Sequence, residues 1–179
     1  MSQGQETNWV VITGAPSSGK TSVIDELARR GYAIQNEVAR ELIEDSLKHG
    51  LTVEQARADT QELQHTILTR KTAREAALDP QTLVFLDRGL PDSIAYFQLA
   101  GMDDRDVIAA AKKFHYRAVF IFDPLPVVKD GVRLENQKTA EELGQVLEKD
   151  YIAIGYAPVH VPLMPVAARA DFILKRLGV

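Results

Sequence analysis

The chain has 179 residues, 45% hydrophobic and 26% charged, ordinary values for a globular protein, and its length suits one domain, 1–179, with a sizeable core. A net charge of −4 argues against long nucleic acid as the main partner. The absence of cysteine excludes disulfides, thiolate metal sites and a cysteine nucleophile.

The polar start, Met1 to Glu6, lacks the basic and apolar regions of a signal peptide. No apolar run nears the ~18 residues of a membrane span, so the expected location is the cytoplasm. Trp9-Val10-Val11-Ile12-Thr13 is a short β-branched run and predicts a buried strand. Gly14-Ala15-Pro16-Ser17-Ser18-Gly19-Lys20-Thr21 follows and fits G-x-x-x-x-G-K-[ST], the phosphate-binding loop. Val23, Ile24, Leu27 and Ala28 then recur at helical spacing, and Gly31 stands where the helix should stop.

The motif therefore sits in the strand–loop–helix context its chemistry needs. Glycines let the backbone close around a phosphate, and its N–H groups converge at a helix N-terminus that carries about half a positive charge. Residues Gly14 through Thr21, with Ser22 behind them, are the candidate nucleotide contacts. Lys20 reaches the terminal phosphates as a point charge. The Thr21 hydroxyl is a candidate Mg²⁺ ligand, since that hard ion prefers oxygen. Ser17 and Ser18 read as loop geometry rather than as nucleophiles.

Tyr32 to Gln35 predicts a second strand. Asn36 is positioned to cap a helix that buries Val38, Leu42, Ile43 and Leu47 and ends at Gly50. Thr52-Val53-Glu54-Gln55 fits a capping box. One long helix is expected from there through Leu63, Ile67 and Leu68 to Asp79-Pro80, with Arg70, Lys71 and Arg74 beside Glu62 and Glu75 on a solvated mixed face. Leu83-Val84-Phe85-Leu86 predicts a third strand, ending in Asp87-Arg88-Gly89, with a helix from Pro91 to about Gly101. Val107, Ile108, Ala111 and Phe114 suggest another helix, and Ala118 to Phe122 a fourth strand, ending at Asp123-Pro124. Leu125 to Lys138 has no clean period. Thr139-Ala140-Glu141-Glu142 fits a second capping box. Val159 to Val161 predicts a fifth strand, and Pro165 opens a last helix with Val166, Ala170 and Ile173 inward.

Continuous apolar strands alternating with helices predict an α/β fold, a parallel sheet covered on both faces. Ligands then bind outside the carboxyl ends of the strands. That rule selects the loop after Thr13, Asn36-Glu37, Asp87-Arg88, Asp123 and the stretch after Val161. Asp87 and Asp123 both follow apolar strands and compete as the acidic partner of Mg²⁺. Asp87 is favoured because Arg88, able to bind phosphate bidentately, comes next. Glu37 is placed to accept the proton of an acceptor hydroxyl, or to pair with Arg40 on the same helical face. Arg133 is a candidate charge on a closing loop. His49, His65, His115 and His160 are scattered, with no zinc-type spacing. Neither G-x-S-x-G nor a guanine-type N-K-x-D signal occurs.

With these residues in view the chain resembles a small P-loop family of AAA-type ATPase domains. That family is akin to the ribosylnicotinamide kinase half of bifunctional NAD-synthesis regulators, and more distantly to deoxynucleoside and nucleoside-monophosphate kinases. The likeness spans nearly the whole chain. It rests on Ile12 to Thr21, Asn36-Glu37-Val38-Ala39-Arg40-Glu41, Phe85 to Asp92, Asp130-Gly131-Val132-Arg133 and Val161 to Val166. It implies a three-layer P-loop fold with a five-stranded kinase-type sheet and the Asp87 strand beside the loop strand. It also implies a lid at about 125–138 around Arg133, with Glu37 and Asp87 as acceptor-site carboxylates, one of them the base. The chain looks too short for the helical lid domain of ring-forming motors.

The expected function is ATP- and Mg²⁺-dependent phosphoryl transfer to a small hydroxyl-bearing metabolite, nucleoside- or vitamin-like, by a monomer or homodimer. Lys20, Glu37, Asp87, Arg88 and Arg133 are the candidate catalytic residues, and Thr21 and Asp87 the candidate metal ligands. Two alternatives stay open: a nucleotide-binding switch or ATPase with no small-molecule acceptor, and a hydrolase of triphosphate metabolites.

Overall fold

The computed structural model describes residues 4–123 and, from 133, the backbone to 179, with side chains there from residue 140 onward. Its centre is a five-stranded sheet of β2 (Val10–Gly14), β3 (Ala33–Gln35), β4 (Val84–Asp87), β6 (Ala118–Phe122) and β7 (Val159–Val161), in the order β3-β4-β2-β6-β7. Every pairing in it is parallel, with Val10 opposite both Phe85 and Ala118. The strand bearing Asp87 lies beside the loop strand, as the resemblance implied. A separate two-stranded pair, β1 (Gln5–Glu6) with β5 (Phe114–His115), is also parallel.

The two-residue period of a strand sends alternate side chains to opposite faces. Val10 and Ile12 accordingly pack with Val23, Ile24 and Leu27 of α1 (Lys20–Arg29) and with Ala170 and Ile173 of α8 (Val166–Leu177). Trp9 and Val11 pack on the other face with Tyr116 and with Tyr151 of α7 (Arg133–Ala153). All five residues of β2 are buried, which is why the strand reads as one apolar run. The remaining helices are α2 (Val38–Lys48), α3 (Val53–Ala56), α4 (Thr60–Ala77), α5 (Asp92–Leu99) and α6 (Arg105–Ala111).

Several local expectations change. The Thr52–Gln55 capping box is present, but it caps only the single turn α3. Asp59 then accepts from Glu62 N at 2.9 Å and starts α4 afresh, so the predicted long helix is two. A second side-chain acceptor so close to the first offers the backbone an alternative to continuing the helix. Glu37, not Asn36, is the N-cap of α2, in extended conformation and with no side-chain cap bond. Phe114 belongs to β5, not to a helix. α7 begins at Arg133, so Thr139 lies inside it and starts nothing. Leu47 and Val166 are 42% and 41% exposed rather than core. Residues 124–132, most of the expected lid, lie outside the described residues.

Gly14 is the point where the sheet meets the loop, at φ +133°, and a Cβ there would stand 2.4 Å from the Phe122 carbonyl oxygen. Only glycine lets β2 and β6 stay paired to their ends. Gly14→Ala is expected to cost about 2–4 kcal/mol, read as a lower denaturant midpoint at unchanged slope.

Candidate nucleotide and acceptor site

The loop from Gly14 to Thr21 joins β2 to α1, so every group in it is fixed by a buried strand on one side and a packed helix on the other. Gly19 caps α1 in the left-handed conformation, and Ser17 also takes positive φ, +58°. Loops with such turns can bring successive backbone N–H groups toward one anion. Lys20 is buried and folds onto the loop, donating from Nζ to Gly14 O (3.2 Å), Ala15 O (2.7 Å) and Ser18 Oγ (3.1 Å). Burial, and then Arg88, lower its ammonium to about 8. From α8, Arg169 reaches across to donate to Ser18 O at 2.8 Å, with its guanidinium 5.2 Å from the centre of the Phe122 ring.

Thr21 Oγ1 donates to Asp87 Oδ2 at 3.2 Å, which brings two oxygens of the kind that hold Mg²⁺ side by side. The other carboxylate oxygen of Asp87 is buried without a partner. An orphaned buried acceptor beside a hydroxyl suits a hard cation, so these residues fit the metal the nucleotide chemistry implies. Burial, then the Glu37 charge, push the Asp87 carboxyl up to about 6. Asp123 stands elsewhere: it is engaged by His160 Nδ1 at 3.0 Å, and His160 Nε2 meets Glu148 at 2.8 Å.

Arg88 adopts φ +68°, a conformation costly for a side chain as large as arginine. It is held there from both sides, by Glu37 Oε1 to Nε (2.9 Å) and Asp92 Oδ1 to Nη1 (2.9 Å). Asp92 is fully buried and also accepts from Gly89 N (3.0 Å), Tyr151 OH (2.6 Å) and Thr13 Oγ1. Burial raises the carboxyl, but Arg88 and Lys71 outweigh it and hold Asp92 below the usual range. Beneath the same loop, Lys71 Nζ donates to Gly89 O at 2.7 Å, and Glu75 accepts from Leu90 N (3.2 Å) and Tyr116 OH (2.7 Å).

A cavity of about 680 Å³ opens here, and Lys20, Thr21, Glu37, Gln64, Arg88 and Tyr96 are among the residues that line it. That is the size of a small-ligand site. The structure thus brings Lys20, Thr21, Glu37, Asp87 and Arg88 together. Ser22 is exposed on α1 and is not part of the cavity wall. Arg40 pairs with Glu44 (2.9 Å) instead of Glu37. The side chain of Arg133 lies outside the described residues.

Sequence reasoning missed Asp92, Gln64, Ser93 and Tyr96, and it placed Lys71 and Glu75 in solvent. Lys71 and Glu75 are 6% and 3% exposed, and Arg74 pairs with Glu41 of α2. The available signal was that Gln64, Ile67 and Lys71 share one face of α4 at i, i+3, i+7. Two polar members on that stripe obscured it.

Two substitutions are expected to move stability in opposite directions. Between about pH 4 and 6 the unfolded chain has released a proton that folded Asp87 retains, so stability falls as pH rises through that window. Asp87→Asn should remove that part of the slope and raise ligand-free stability at pH 7.5 by about 1–3 kcal/mol. Asp92→Ala leaves Arg88 buried and half-paired and should cost about 3–5 kcal/mol. Both are read from denaturant midpoints across pH.

The model of a family described as an AAA domain matches residues 9–169. No curated protein matches the chain significantly. Among solved structures, NadR protein in complex with NR aligns at TM-score 0.68 and 17% identity, over 97% of this chain and 52% of that one. The chain therefore spans about half the length of that protein. Deoxyadenosine kinase from M. mycoides aligns at 0.63 and 16%, over 95% and 98%. Shikimate kinase from Acinetobacter baumannii, in complex with shikimate, aligns at 0.52 and 18%, over 96% and 93%. At such identities the likeness is one of fold, the parallel sheet of P-loop kinases with helices on both faces.

Proposed function

The chain belongs to the AAA domain family, its model matching residues 9–169, and from its site we propose an ATP- and Mg²⁺-dependent kinase of a small hydroxyl-bearing metabolite. The observation that carries this reading is the position of Glu37. Glu37 lines the same cavity as Lys20 and Thr21, and Arg88 fixes its carboxylate through one oxygen. A simple nucleotide switch has no need of a second carboxylate, oriented by a buried arginine, in an open cavity beside the phosphate loop.

The roles follow from charge and placement. The loop amides and Lys20 hold the donor phosphates. Thr21 and Asp87 would hold Mg²⁺, which when bound neutralises charge on those phosphates. Glu37 accepts the acceptor hydroxyl proton. The acceptor oxygen forms a bond to the terminal phosphorus as the bond from that phosphorus to the bridging oxygen breaks, and ADP leaves with the electron pair. Arg88 steadies Glu37 and adds positive charge where negative charge is redistributed. Arg133, whose residue begins α7, remains our candidate for a further charge brought in from the lid.

Glu37→Gln keeps the hydrogen bond to Arg88 and loses the base. Transfer of labelled phosphate to an acceptor should fall about 10²–10⁴-fold, with ATP affinity by calorimetry little changed. Turnover with water alone as acceptor, insensitive to Glu37→Gln, would point instead to a switch or a hydrolase.

A further inference from the structure

The wall of the cavity formed by α4 and α5, which pack on one another, holds three buried polar side chains with unused hydrogen-bonding capacity. Ser93 is 2% exposed and its Oγ has no partner. Lys71 has three N–H groups and uses one, on Gly89 O. The side chain of Gln64, a residue 9% exposed, makes no hydrogen bond among the described residues. All three line the cavity. Buried polar groups are normally satisfied, and each exception calls for an explanation.

Charge points the same way. Lys71 has no carboxylate within ion-pair distance among the described residues. Of the carboxylates acting on it most strongly, Asp92 is taken up by Arg88, Gly89, Thr13 and Tyr151, and Glu75 by Tyr116 and Leu90. Burial pushes Glu75 up to about 7, so at neutral pH it balances only part of a charge. Glu37 and Asp92 both lie at ion-pair distance from Arg88, and neither does from Lys71. Burial pushes the Lys71 ammonium down, and a buried cation with no carboxylate in contact is stabilised by a ligand that brings one. Arg57, exposed to solvent, also lines the cavity.

We propose that the α4–α5 end of the cavity is a buried anion site, and that the acceptor is a hydroxyl compound carrying its own carboxylate or phosphate, bound by Lys71, Ser93 and Gln64. This rests on the kinase reading for the word acceptor, while the anion site itself does not. A cationic molecule is disfavoured by Lys71, and a neutral one gives it no carboxylate or phosphate in contact.

The test uses the full chain with AMP-PNP and Mg²⁺ saturating, so that the phosphate loop is filled. Three pools are compared: hydroxy acids, phosphate esters of alcohols and sugars, and neutral nucleosides and sugars. Melting temperature is read with AMP-PNP, and label transfer in parallel with ATP. An anionic pool should raise the melting temperature, and which of the two does so separates carboxylate from phosphate. Lys71→Met should weaken the active compound about 10-fold or more. ATP affinity should stay within about two-fold, because the loop is untouched. Ser93→Ala, the milder change, should weaken it in the same direction. Stabilisation by the neutral pool alone, by no pool, or by anions equally in both variants overturns the proposal. Anion binding without label transfer supports the site and overturns the kinase reading instead.

Discussion

The Asp92 carboxylate is the interaction on which the rest of the site depends. It has no solvent exposure and accepts from four groups on three parts of the chain: Thr13 at the end of β2, Arg88 and Gly89 after β4, and Tyr151 on α7. A buried carboxylate with one partner is a liability, whereas one this fully satisfied is a joint between elements. It holds Arg88 in a left-handed backbone conformation that the arginine would not adopt by itself. Arg88 in turn fixes Glu37, the N-cap of α2, just past β3, the next strand out.

The joint makes the two sides of the cavity answerable to one another. Lys71 and Glu75 come from the same face of α4 as Gln64, and they grip the backbone at Gly89 and Leu90. The helix that walls one side of the cavity therefore also sets the loop that carries Arg88. Against this satisfied network, the atoms that remain unpaired stand out. Among the described residues the buried side-chain atoms without partners are Asp150 Oδ2, Arg169 Nε, Asp87 Oδ1 beside Thr21, and Ser93 Oγ in the wall made by α4 and α5. Leaving such atoms unpaired lowers the stability of the empty protein, and a ligand that pairs them recovers it.

The phosphate loop was legible because its function is local. A glycine at each end, a lysine, a hydroxyl residue and apolar flanks define a strand–loop–helix whose geometry hardly depends on what surrounds it. Asp87 and Glu37 were legible for a related reason: a parallel sheet forces its ligands to the carboxyl ends of its strands, and both stand there. The sheet itself followed from apolar runs separated by helical spacing. Lys71 and Glu75 were misplaced because charged residues beside other charges on a helix resemble a solvated face. Nothing within one helix reveals that Tyr116 and the backbone at Gly89 and Leu90 wait on the other side.

What the amino-acid order determined alone is therefore the five strands of the main sheet, most of the helices and the phosphate-loop motif, since backbone conformation and hydrophobic period act over a few residues. What only the folded arrangement decided is which charges meet. Thr13 and Asp92 are 79 positions apart, and Glu37 and Arg88 are 51. Periodicity shows which side of an element is buried, but the pairing of donors with acceptors across that buried space is fixed only when strands and helices are packed and water is gone.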